Sequence, residues 1–226
     1  MLEINNVKVY DLEESVIACR NAMRITPTEY TDEEFKKSLP RAIQLAKCGG
    51  GSGHSNFRKG VRVSFDIVYP NYISPELQRY GFIDIVSSSS KMHKLVSMDM
   101  DLACNKYVPK VFVDEMRKLI DRYNSIKDST EYHLISFTLR NGVELLARTK
   151  QEALYYAFMQ CISACPQGIE LFMRCSTNYE QLATIYRQRK HHKLKEDWGA
   201  FCTFIENLPY SKELILVGLN KDKDNE

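Results

Sequence analysis

Residues 53–91, GHSNFRKGVRVSFDIVYPNYISPELQRYGFIDIVSSSSK, restrict what this chain can fold into more than any other stretch. Within it VRVSFDIV, residues 61–68, alternates apolar and polar side chains with period two, the mark of a half-buried strand. Pro70 ends that strand because it offers no N–H to a neighbour. Ser74-Pro75-Glu76 then opens a helix, with serine as cap and proline at the first helical position. Leu77, Tyr80 or Gly81, Ile83-Asp84 and Val86, read along one side, predict that this helix runs over residues 75–88. A strand followed at once by a helix places the chain in the α/β class.

The flanking sequence extends the pattern. Residues 3–10 alternate as a short strand, and Asp11 caps a helical pattern to about residue 22. Thr31 followed by Asp32, Glu33 and Glu34 starts a helix to about residue 47, because early acidic side chains complement the helix dipole. Four glycines between Cys48 and Gly53 then break the chain. Further expected elements are a helix over 108–126, a strand over 131–139, an Asn141-Gly142 turn and a helix over 150–164. A strand over 169–175, a helix over 178–189 capped by Ser176 or Thr177, and a helix over 197–208 complete the series. No repeat and no linker composition appears, so one domain over residues 1–226 is expected, with 220–226 as a solvated tail.

Composition narrows the function classes. A net charge of +2 gives no field for a polyanion, so no nucleic-acid partner is expected. No run approaches the ~20 apolar residues of a membrane span, and the charged N-terminus does not read as a signal peptide. The seven cysteines lack disulfide-scaffold spacing, which suits free thiols in a reducing cytoplasm.

Several residue groups are suited to ligand binding. The glycine run lacks the Gly-Lys-Ser/Thr of a phosphate loop, but His54, Ser55 and Asn56 follow it at the mouth of a buried strand. Four consecutive serines disfavour helix continuation, so Ser89 and Lys91 can fold back as a phosphate-binding loop. A polar helix end with Lys91 complementing the dipole fits the same spacing. Asn178 and Arg189 lie eleven residues apart on one side of a helix, a separation that suits a long ligand. His191 and His192 lack ligand-spaced partners and read as a basic helix end, so no metal is expected. Cys161 and Cys165 read as core thiols, and no Ser-His-Asp order or paired carboxylates suggest a hydrolase.

The joint arrangement resembles the flavin-dependent thymidylate synthases, whose signature reads Arg-His-Arg, seven residues, then Ser. Here Arg79-Tyr80-Gly81 is followed after seven residues by Ser89, with Lys91 where the family has arginine. Asn178 and Arg189 in TNYEQLATIYRQR match the family's late helix, and Pro166 falls on its Leu-Pro step; together the matches cover roughly a third of the chain. The resemblance implies helices packed on a mostly antiparallel sheet, in a homotetramer whose active sites draw on neighbouring subunits. It implies FAD, the pyrimidine nucleotide dUMP, and methylenetetrahydrofolate as donor of the C5 methyl carbon, with NADPH reducing the flavin. By position, Ser55 or Asn56, Arg79 and Asn178 would contact FAD. Ser89, Lys91 and Arg189 would contact the nucleotide, with Arg189 as the catalytic residue polarising the pyrimidine. Tyr80 and Gly81 stand where the family has His-Arg, Glu76 where it has a nucleotide-contacting glutamine, and Ile162 where an arginine is expected. Val86 and Ser87 replace a polar and acidic pair before the signature serine. Each charged hydrogen bond lost this way costs about 1.5–3 kcal/mol. These departures leave open a divergent nucleotide- or flavin-binding protein of the same fold without thymidylate synthase activity.

Overall fold

The strand Arg62–Pro70 carries the pattern seen in its sequence: Val63, Phe65, Ile67 and Tyr69 are buried, while Arg62, Ser64, Asp66 and Val68 are half-buried. A computed structural model describes residues 2–48 and 53–218. Most of the glycine run and the expected tail from 220 onward lie outside the described residues.

In chain order the elements are β1 (Glu3–Tyr10), α1 (Leu12–Ala18), α2 (Asp32–Ala46), α3 (Phe57–Gly60), β2 (Arg62–Pro70), α4 (Ser74–Gln78) and β3 (Asp84–Ser88). Then come α5 (Lys91–Lys94), α6 (Met100–Ala103), α7 (Lys110–Asp128), β4 (Ile135–Thr138), β5 (Glu144–Ala147) and α8 (Lys150–Ala164). The last are β6 (Glu170–Asn178), α9 (Tyr179–Arg189), α10 (Lys195–Glu206) and α11 (Ser211–Leu214). The fold combines these helices with an antiparallel sheet of order β1-β2-β6-β3 and a separate β4-β5 hairpin.

The chain divides into two compact units. The first comprises Met1–Tyr69, Pro75–Ser87 and Phe172–Glu226. Its β1 and β2 pair antiparallel with Ile4 opposite Ile67 and Val9 opposite Val63, and an irregularity between Asn5 and Lys8 places Asn6 at φ 51°. Asparagine enters that left-handed region at low cost. Helix α10 covers β2 through Phe201 and Phe204, whose ring centroids lie 6.0 and 5.0 Å from Phe65. Edge-to-face and tilted ring pairs at such distances add about 0.5–1.5 kcal/mol each beyond burial.

The second unit comprises Pro70–Ser74 and Ser88–Leu171. Helices α7 and α8 pack on one another. Val113, Met116 and Ile120 form the buried stripe of α7, and Ala153, Ala157 and Cys161 form that of α8. Small residues four apart let the second helix sit close. The hairpin turns at Gly142, whose φ of 79° favours glycine.

Three expectations are corrected. The predicted helix over 75–88 stops at Gln78, and Asp84–Ser88 is a strand beside β6. The helix after Asp11 ends at Ala18, and Asp11 itself is left-handed at φ 56° with no side-chain cap bond. Strand β6 runs on to Asn178, so Asn178, not Ser176 or Thr177, caps α9 by accepting the Gln181 N–H at 3.0 Å.

Candidate functional site

Arg189 ends up at the centre of a polar cluster because three elements of the first unit converge on it. Asn178 starts α9 and fixes its phase, so that the last helical residue is Arg189. Helix α4 opens at Ser74 and sets Glu76 in its first turn, and α10 contributes Trp198. Arg189 Nη1 donates to Glu76 Oε2 at 2.8 Å, and Arg189 Nε donates to the Tyr80 hydroxyl at 2.6 Å. Trp198 Nε1 donates to the same Glu76 oxygen at 2.8 Å. Tyr80 passes its own proton toward Gln188 Oε1 at 3.0 Å.

The guanidinium carbon lies 4.3 Å from the centroid of the Trp198 ring and 5.3 Å from that of Tyr80. Such cation–π contacts contribute about 0.5–2 kcal/mol depending on desolvation. His192 Nε2 stands 3.7 Å from Glu76 Oε2, a contact that is ionic only when the imidazole is protonated. Trp198 is fully buried and Tyr80 nearly so, whereas the side chains of Arg189 and Glu76 keep 16% and 27% of their exposure. The pair is therefore anchored from below and reachable from solvent.

The other expected ligand residues are placed differently. Ser55 is buried and donates to Glu180 Oε1 at 3.3 Å, beside the buried Arg58–Glu180 ion pair. Asn178 is buried and its side-chain oxygen is the α9 cap. Asn56 and Arg79 are exposed. Of these four, Ser55 and Asn178 each spend a side-chain oxygen on a partner within the protein, while Asn56 and Arg79 stay exposed.

In the second unit Lys91 opens α5 and donates to Asn71 Oδ1 at 2.9 Å. Asn71 Nδ2 in turn donates to Gln167 Oε1 at 2.8 Å. Ser89 is half-buried just before that helix. Lys91 thus stands at the start of a short helix rather than in a loop, with its ammonium steadied by an amide.

Sequence reasoning missed the roles of Trp198, Gln188 and His192. Trp198 is the only tryptophan of the chain, a signal that its position mattered. Burial pushes the thiols of Cys161 and Cys202 up to about 11 and that of Cys175 to about 12, so none of the three serves as a thiolate nucleophile. Among the described residues no group of three or more His, Cys, Asp or Glu side chains is placed to hold a metal ion. Among them, too, no helix is long and apolar enough to cross a membrane.

No family model and no curated protein matches the chain in sequence. Solved structures match it over nearly its whole length. The flavin-dependent thymidylate synthase ThyX from Helicobacter pylori, complexed with FAD and dUMP, is 15% identical with a TM-score of 0.60, covering 94% of this chain and 97% of its own. A second structure of that protein with FAD and dUMP gives 15%, 0.61, and coverage of 97% and 99%. The UMP/dUMP methylase PolB from Streptomyces cacaoi, bound with 5-Br dUMP, is 10% identical with a TM-score of 0.59, covering 97% and 94%. The chain thus shares its architecture with proteins solved around pyrimidine nucleotides. Its fold is that of the flavin-dependent thymidylate synthases.

Proposed function

We propose that this chain is a thymidylate synthase-like protein that binds a pyrimidine nucleotide of the dUMP type. The supporting observation is the end-to-end agreement of fold with three structures that hold dUMP or 5-Br dUMP. Each unit is proposed to offer nucleotide-binding residues of its own, Arg189 in the first and Ser89 with Lys91 in the second. Serine hydroxyls and an ammonium suit phosphate oxygens, and a guanidinium fork suits a ring carbonyl. The engagement of Arg189 by Glu76 and Tyr80 favours binding without methyl transfer.

The FAD in the two synthase structures and the methylase activity named for the third favour a second reading. This is methyl transfer to C5 of dUMP with FAD, NADPH and methylenetetrahydrofolate. One experiment separates the two. The purified protein is titrated with dUMP by calorimetry, then mixed with all four reactants and assayed for flavin absorption, C5 hydrogen release and dTMP. The expected result is saturable dUMP binding without dTMP. Absence of dUMP binding removes the proposal, and flavin-coloured protein that forms dTMP establishes the second reading.

A further inference from the structure

Glu76 is the charged group of the cluster that nucleotide binding leaves unexplained. Its Oε2 takes hydrogen bonds from Arg189 Nη1 and Trp198 Nε1, both at 2.8 Å, with His192 Nε2 3.7 Å away. A guanidinium is a planar fork of donors suited to an oxyanion or carbonyl, and an indole N–H can only donate. Here both are already closed on an oxyanion that belongs to the chain. A third donor position, Arg189 Nε, is committed to the Tyr80 hydroxyl at 2.6 Å. The cluster is an assembled anion site with its own carboxylate inside.

We propose that Glu76 is a built-in competitor for the ligand position at Arg189, and so the residue that sets the specificity of the site. A nucleotide oxygen takes the position at Arg189 Nη1 only by displacing it. The identity of the ligand rests on the nucleotide-binding reading; the competition rests on the geometry alone. A neutralised guanidinium attracts an anionic or carbonyl oxygen less, and a second negative charge near Glu76 is repelled. Displacement is feasible because Glu76 is the more exposed partner, whereas Trp198 is sealed in the core. The pair therefore opens by rotation of one side chain rather than by rearrangement of the core.

Trp198, the sole tryptophan, reports on the pair by its emission. Inorganic phosphate and dUMP are titrated into wild-type protein, Glu76→Gln and Glu76→Asp, followed by fluorescence and calorimetry. Glu76→Gln is expected to bind about tenfold tighter or more, with Glu76→Asp, whose shorter carboxylate keeps its charge, in between. Glu76→Gln should also melt lower than wild type without ligand yet gain more in Tm when ligand is added. That gain is one a purely structural role would not give. Should the amide variant fail to fold, Glu76→Asp carries the test alone, and affinity equal to wild type counts against the competition. Equal dUMP affinity in wild type and Glu76→Gln overturns the competition and leaves the nucleotide reading standing. Tighter phosphate binding by Glu76→Gln with no dUMP binding by either protein upholds the competition and removes the nucleotide reading. If no protein binds either probe, the competition itself is overturned.

Discussion

Arg58 and Glu180 approach within 2.6 Å in the interior of the first unit, where Arg58 also donates to the Leu214 carbonyl at 3.1 Å. Ser55 supplies a donor to the second carboxylate oxygen. A buried pair of this kind adds little net stability, but breaking it leaves a charge without a partner. Arg58→Met should therefore destabilise by about 3–5 kcal/mol, read as a fall in the urea midpoint. Adding Glu180→Leu should recover most of that loss, because the stranded carboxylate is then gone. This environment also explains why Ser55, legible as a polar residue at a strand mouth, could not be recognised as interior. Its acceptor lies 125 residues away in sequence. Arg189 was legible as a charge at a helix end. Its partner Glu76 was visible only as a departure from a pattern, since the bond between them spans 113 residues.

At the scale of elements, Asp66 ties the sheet together from the polar face of β2. Asn6 of β1 and Arg174 of β6 both donate to it, the latter at 3.1 Å. The Asn6 hydrogen bond and then Arg174 hold its carboxyl below the usual range. A depressed carboxyl contributes stability that is present above its unfolded pKa and lost as pH falls through its folded one. Asp66→Asn should thus lower Tm at neutral pH and flatten the acid limb of a Tm–pH profile; an unchanged acid limb would refute this. Most elements were readable because period-two and period-3.6 patterns are local properties. Residues 84–88 were not, for a definable reason. Leu77, Tyr80, Ile83 and Val86 recur every three residues, which mimics a helix, but Gly81 and the β-branched Ile83, Ile85 and Val86 weaken one. Pairing with β6 then decides the outcome, and that partner is remote in sequence.

At the scale of the molecule, the sequence resemblance implies a homotetramer. Leu102, Tyr107, Val111 and Phe112 are exposed in the second unit, apolar surface of the kind that association covers. Light scattering should return four times the chain mass, and a monomer at working concentration would count against the assembly. The order of strands carries a further consequence, for the ribosome rather than for the ligand. β6 sits between β2 and β3, yet it is made after both. While the chain is being synthesised, β2 has β1 on one side and nothing on the other, and β3 has no neighbour at all until the segment beginning at Glu170 emerges. From the end of β3 at Ser88 to the start of β6 at Glu170 the nascent protein therefore carries unsatisfied strand edges, the state in which chains stick to one another or recruit a chaperone. The last third of the polypeptide acts as the keystone of the sheet that its first third begins.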